Sequence, residues 1–259
     1  MASTFHGLPC WYELSTTDAA AAQRFYGPLF GWTWTRAEMP GMDYFIASRD
    51  GVMIAGAMAG EAGGPPPAWT TYFAVDDVDA TVAAMAAEGA GVIVQPTDIP
   101  GTGRFAVLSD PQGAVFGLLQ PLPMEDGGAG GAFDLQKNGH VNWNELMAAD
   151  AAAALDFYCR HLGWTPSRAM EMGPGMTYHI FAQGGRDIGG MMDIAPGMPG
   201  PGFPSWLPYF GVEGIGAALA AVTAAGGRPA GAPQEVPGGT IVASATDPQG
   251  AAFAMAGRP

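Results

Sequence analysis

The residues best placed for chemistry in this chain are two glutamates, Glu13 and Glu145, each two positions after a tryptophan, Trp11 and Trp143. The phrases around them, WYELSTTDAAAAQRFYGPLFGWT from Trp11 and WNELMAADAAAALDFYCRHLGWT from Trp143, share 13 identities in 23 ungapped positions. Side chains two apart on a strand stand on one face, so a cleft that receives the tryptophan receives the glutamate as well. A carboxylate among aromatic rings can have its protonated form favoured and act as a general acid or base, or it can hold a cationic ligand. The alternative is a glutamate that anchors a neighbouring strand through backbone or arginine hydrogen bonds, which would recur for structural reasons alone.

Other aromatic positions recur too. Trp69 and Trp206, and Tyr44 and Tyr178, are candidates to line small-molecule pockets with Trp11 and Trp143, or to pack in the core. Phe25, Tyr26, Trp32, Phe157, Tyr158 and Trp164 are read as core. Met42, Met176, Met191 and Met192 suit a pocket wall or gap-filling. None of the four histidines recurs in an equivalent place. His179, which aligns with Phe45, is the best candidate among them, on a strand expected to border the second cleft. No GxSxG, Walker loop or CxxC is present.

Composition narrows the partners. The net charge is −14, and ten Lys and Arg scattered over 259 residues make no footprint for nucleic acid. No run of 18 apolar residues is free of Gly, Pro or charge, so no membrane span is expected. The start of the chain has neither a basic region nor an apolar signal segment. Cys10 and Cys159 occupy non-equivalent places in the repeat and read as free thiols. Together these features predict a cytoplasmic protein, monomer or homodimer, with a small-molecule partner.

The elements that must position the glutamates follow from the repeat, which covers nearly the whole chain. PGMDYFI recurs as PGMTYHI, AWTTYFAV as SWLPYFGV and DPQGAVF as DPQGAAF. This gives a first module over 1–122, a flexible Gly-rich linker over 123–137 and a second module over 138–259. Within a module, a strand WYELST leads to a helix capped by Asp18 and stopped by Gly31. Three short strands follow, then TTYFAV, a helix over DDVDATVAAMAAEGA, and three more strands with DPQG as a turn. The Pro/Gly loops GEAGGPPPAW and MPGPGFPSW connect elements or act as lids.

That order, with DxxxAxxFYxxxFGW after the first strand and DPQG before the last, resembles the vicinal oxygen chelate superfamily of glyoxalase I, extradiol dioxygenases and bleomycin-resistance proteins. The resemblance implies an α+β fold of four βαβββ units, forming two tandem modules, each a curved, mostly antiparallel sheet around a cleft. It also implies metal-ligand positions on four strands of each module. Here they carry Trp11, Gly56, Thr70 and Gly117 in the first module, and Trp143, Gly190, Leu207 and Ala254 in the second. None of these is a good metal ligand. No cofactor is therefore expected unless a divalent metal finds a non-standard site, and the extradiol dioxygenase set is missing. The leading expectation is a metal-independent protein that binds a small aromatic or apolar molecule in aromatic-lined clefts. The alternative is a glyoxalase-related lyase or isomerase, or a hydroxylase-like enzyme, with Glu13 or Glu145 as acid or base.

Overall fold

The computed structural model describes residues 3–39, 41–60, 63–122, 130–195 and 202–259. Part of the expected linker (123–129) and parts of the two Pro/Gly loops (61–62 and 196–201) lie outside these. The first repeat runs β1 (Pro9–Thr16), α1 (Ala19–Phe30), β2 (Thr33–Ala37), β3 (Tyr44–Arg49), β4 (Val52–Ala59), β5 (Ala68–Ala74), α2 (Val78–Ala87), β6 (Gly91–Ile99), β7 (Gly103–Ser109) and β8 (Val115–Pro121). The second repeats it: β9 (Val141–Ala148), α3 (Ala151–Leu162), β10 (Thr165–Gly173), β11 (Met176–Gln183), β12 (Arg186–Asp193), β13 (Ser205–Gly214), α4 (Ile215–Ala224), β14 (Arg228–Val236), β15 (Thr240–Thr246) and β16 (Ala252–Arg258). These are the four expected βαβββ units.

The strands form two curled eight-stranded sheets, ordered β2-β3-β4-β1-β5-β8-β7-β6 and β10-β11-β12-β9-β13-β16-β15-β14. Within each βαβββ unit the first strand pairs in parallel with the last, and the remaining pairs are antiparallel hairpins. The helix between them is the crossover that a parallel pair requires. Local chemistry sets its ends. The Asp18 carboxylate accepts the Ala21 N–H at 2.9 Å, and Asp77 and Asp150 cap α2 and α3 in the same way. Gly31 and Gly163 end α1 and α3 at φ 67°, a left-handed conformation that glycine adopts without a Cβ penalty. No helix among the described residues is long and apolar enough to cross a membrane, and both cysteines are free thiols.

Two compact units arise, and each draws on both repeats. One holds Trp11–Thr70, Gly131–Trp143 and Leu207–Pro259; the other holds Met1–Cys10, Thr71–Gly130 and Asn144–Trp206. We call them the α1/α4 unit and the α2/α3 unit. In the α1/α4 unit the buried faces of two half-sheets meet. Tyr12 and Leu14 of β1 and Ala55 and Ala57 of β4 join Phe210, Phe253 and Met255 around Phe25, Tyr26 and Phe30 of α1. Phe30 stacks on Phe210 at 4.7 Å, and Phe25 meets Phe253 edge-on at 5.9 Å. Each such buried ring contributes about 1.5–3 kcal/mol through loss of apolar surface to water.

A polar thread runs through this apolar core. Tyr26 Oη donates to Asp247 Oδ2 at 3.0 Å and accepts the Trp69 indole N–H at 3.1 Å. The α2/α3 unit repeats it: Tyr158 donates to Asp110 at 3.1 Å and accepts from Trp206 at 3.1 Å. The tyrosine of each FY motif thus reaches the DPQG aspartate of the other repeat. The second oxygen of each aspartate gathers the turn's own N–H groups, from Gln112 and Ala114 in one case and from Gln249, Gly250 and Ala251 in the other. Burial pushes the Asp110 carboxyl above the usual carboxylate range, with those N–H donors opposing the shift. Burial and the facing aspartate push both tyrosine hydroxyls well above their ordinary value, so they remain donors.

Replacing Tyr26 or Tyr158 by Phe leaves a buried carboxylate oxygen and an indole N–H without their partner. Each change is expected to cost about 1–3 kcal/mol in urea unfolding. Tyr26→Phe combined with Asp247→Asn should cost less than the sum of the two. A loss below about 0.5 kcal/mol in either Phe variant would mean that the thread contributes no more than an ordinary surface contact.

Candidate functional site

Strand β1 alternates cleanly. Tyr12, Leu14 and Thr16 are buried in the core, while Trp11, Glu13 and Ser15 are half-buried on the opposite face. The parallel pairing sets Glu13 beside Gly56 and Ser15 beside Met58, and the β3–β4 hairpin sets Ile46 beside Gly56 and Tyr44 beside Met58. The open face of this half-sheet therefore carries Trp11, Glu13, Ser15, Tyr44, Ile46 and Met58. Three of them are wired together. The Trp11 indole N–H donates to Tyr44 Oη at 2.9 Å, and Tyr44 Oη donates to Glu13 Oε2 at 3.0 Å. Burial first, and the neighbouring Glu13 charge second, push the Tyr44 hydroxyl above its ordinary value, so it stays protonated and keeps donating.

Tyr44 can lie where it does because residue 56 is glycine. A Cβ at Gly56 would fall 1.8 Å from Tyr44 Oη. In the α2/α3 unit, Glu145 stands beside Gly190 in the β9–β12 pair, and Tyr178 Oη donates to Glu145 Oε2 at 3.0 Å. A Cβ at Gly190 would fall 2.2 Å from the Tyr178 ring. The same device appears at Gly117, which pairs with Tyr72; its Cβ would fall 2.1 Å from that ring.

These glycines hold three of the positions where the superfamily resemblance places metal ligands. At each, a tyrosine ring from the adjacent strand occupies the space a ligand side chain would need. Trp11 and Trp143 offer only a donor, Leu207 and Ala254 offer no ligand atom, and Thr70 offers a hydroxyl. Among the described residues no group of three His, Cys, Asp or Glu could hold a metal ion. The residues present do not fit the superfamily's metal.

The remaining sequence candidates fall elsewhere. Trp69 and Trp206, each 5% exposed, are bonded to Tyr26 and Tyr158 in the two cores rather than set on an open face. His179 pairs with Met191, beside Leu146, on the face of β11 opposite that of Tyr178 and Ile180. Trp143 is half-buried near the start of β9. Met42 is exposed, Met176 half-buried, and Met191 and Met192 buried. Sequence reasoning did not single out Ser15, Ile46 and Met58, or Met147 and Ile180; Met192, the counterpart of Met58, it did consider for a pocket wall. It also did not connect Tyr44 with Gly56. The signal was present, since the Tyr and Gly recur together as Tyr178 and Gly190.

The model of the "Glyoxalase/Bleomycin resistance protein/Dioxygenase superfamily" matches residues 10–118 and 138–255. A Mycobacterium bovis protein named "Putative glyoxylase CFP32" is 37% identical over 255 residues, covering 96% of this chain and 94% of that protein. The "Anthracycline biosynthesis protein DnrV" of Streptomyces peucetius is 33% identical over 265 residues, covering 96% and 92%. Among solved structures, the Mn(II)-bound glyoxalase from Novosphingobium aromaticivorans superposes with a TM-score of 0.64 over 99% of this chain and 83% of its own, at 13% identity, a likeness of fold alone. With the doubled βαβββ architecture and the match through both repeats, the chain belongs to the glyoxalase/bleomycin resistance protein/dioxygenase superfamily.

Proposed function

We propose that this protein is a cytoplasmic binder of small aromatic or largely apolar molecules that works without the superfamily's usual metal. The observation that carries the reading is the tyrosine ring that lies over each of Gly56, Gly190 and Gly117, where the resemblance places metal ligands. Each ring fills the space of a ligand side chain and supplies a flat apolar surface, which favours stacking over chelation. Trp11, Tyr44, Ile46 and Met58 on one face, with Tyr178, Ile180, Met147 and Met192 on the other, form walls of rings and flexible thioethers suited to a planar guest. A relative named for anthracycline biosynthesis supports an aromatic ligand class. We include Trp143 with Trp11 among the ligand-contacting residues because it occupies the equivalent position.

A second reading rests on the Tyr–Glu pairs. A carboxylate held at 3.0 Å by a tyrosine hydroxyl on an open face has a fixed orientation, as an acid or base must. A relative named as a glyoxylase favours an activity of that broad kind. Glu13→Gln and Glu145→Gln separate the two readings: lost turnover with retained binding supports the enzyme, and retained binding with no turnover in the parent protein supports the binder.

Two outcomes are expected. Titration with a hydroxylated anthraquinone should quench tryptophan fluorescence saturably, and Trp11→Ala should weaken that binding by about tenfold, as loss of a stacking indole implies. Undiminished affinity in both Trp11→Ala and Trp143→Ala would overturn the proposed faces. Dialysis against a chelator should leave anthraquinone affinity unchanged, and calorimetric titration with Mn²⁺, Ni²⁺, Zn²⁺ or Fe²⁺ should show no stoichiometric uptake. A single tight equivalent of metal would sink the metal-independent reading.

A further inference from the structure

We propose that the open face of the α2/α3 unit is a methionine-lined site for neutral polycyclic aromatic surface of variable outline. Met147 and Met170 set this preference and distinguish the site from the Trp11 face. The inference rests on the aromatic-binding reading above and goes further by naming the class of ligand and the residues that select it. It starts from one row of side chains read across four strands. In the first repeat the register sets Ala37 beside Tyr44, Tyr44 beside Met58 and Met58 beside Ser15. In the second it sets Met170 beside Tyr178 and Met192 beside Met147. The β11–β12 hairpin pairs His179 with Met191 and so brings Tyr178 next to Met192. The tyrosine and the inner methionine are the same in both rows. The ends differ: where one row has Ala37 and Ser15, the other has Met170 and Met147.

Met176 adds a further thioether on the same face, two residues before Tyr178 on β11. Met192 is 7% exposed, whereas Met147, Met170 and Met176 are half-buried, so part of each can be reached by a guest. Cross-strand neighbours have Cβ atoms about 5 Å apart, which places the Tyr178 ring within reach of the Met170 side chain. Met191, on the opposite face at 0% exposure, shows the contrasting use of the same residue type, as filler in the core.

The chemistry of the thioether gives the ligand class. A methionine side chain is unbranched with three rotatable bonds, so it refills the space around guests of different outline, as the stiffer Ile46 and Ile180 cannot. Its sulfur is polarisable and makes favourable contact with ring edges. It donates no hydrogen bond and accepts only weakly, so it favours bare ring surface over polar substituents. Thioethers at both ends of the row supply contact along the edges of a flat guest laid on Tyr178. Ala37 and Ser15 are short and leave those edges uncovered. An extended ring system gains most, since the apolar area removed from water grows with each fused ring.

The test titrates pyrene into the full chain and follows the emission of pyrene itself, with the hydroxylated anthraquinone measured in parallel. In Met147→Ser/Met170→Ala, which gives the row the residues of the first repeat, pyrene affinity is expected to fall about tenfold. In Met147→Leu/Met170→Leu, which keeps the apolar bulk and with it the fold, affinity is expected to fall about threefold through loss of the sulfur–ring contacts. Unchanged affinity in both variants overturns the assignment to this row, as does a loss seen in Trp11→Ala instead. A loss in the Ser/Ala variant with none in the Leu/Leu variant overturns the role of the thioethers. If the anthraquinone binds the parent protein and pyrene does not, this inference falls and the aromatic reading stands. If neither binds, both fall.

Discussion

The hydrogen bond from a helix tyrosine to a turn aspartate of the other repeat is the constraint on which the rest of the structure depends. Tyr26 and Asp247 are 221 residues apart, Tyr158 and Asp110 are 48 apart, and both pairs are buried. A carboxylate in a core is tolerable only if its oxygens are satisfied. Here the turn's N–H groups satisfy one oxygen and the tyrosine the other. The tyrosine in turn gives the indole of Trp69 or Trp206 an acceptor. Helix, DPQG turn and fifth-strand tryptophan are thus fixed against one another in a single geometry. Two further indoles reinforce it: Trp32 donates to the Gly139 carbonyl and Trp164 to that of Gly7, both at 2.7 Å. The phrase repeated at Trp11 and Trp143 is mostly an instruction for this assembly.

That division of labour explains where function can reside. Period-two alternation sends Tyr12 and Leu14 into a core whose geometry is closed, and it leaves Trp11, Glu13 and Ser15 on a face the core does not need. Such a face is free to change its chemistry without unfolding the protein, which is how one fold comes to host unrelated activities. A tyrosine ring covers each of Gly56, Gly190 and Gly117, so at each of these positions the glycine and the ring on the neighbouring strand fit together as a couple. Restoring a metal ligand at Gly56 would require moving Tyr44 and would break its bonds to Trp11 and Glu13.

Local signals in the sequence carried far. The Asp18 cap, the Gly31 stop and the DPQG turn were legible because each depends on neighbours within a few positions, and the order of elements because the chain states it twice. So was the core role of Phe25, Tyr26 and Trp32. The distinction between Trp11 and Trp69 was not. Both are recurrent tryptophans on strands, and only the Tyr26 hydroxyl brought to Trp69 by α1 decides that its indole belongs to the core. The face of His179 was equally hidden, since it depends on the register of β11 against β12, and a one-residue shift reverses every side chain. The pairing of Tyr44 with Gly56 was readable in principle as a recurrent couple. It acquires meaning only when the hairpin sets the two on adjacent strands.

Repetition in this chain does not extend to equivalence. In the α2/α3 unit Gln112 clasps the start of α3, donating from Nε2 to the Asp150 carbonyl at 2.7 Å and accepting the Asp150 N–H at 2.8 Å. Glu88, at the end of α2, bonds Arg160 of α3, which holds its carboxyl below the usual range. In the α1/α4 unit the counterpart of Gln112 is Gln249, whose buried Oε1 finds no hydrogen-bond partner among the described residues, and the place of Glu88 is taken by Ala225. An unmatched buried acceptor costs far more than an exposed ion pair contributes, so the clasp at Asp150 is the weightier difference.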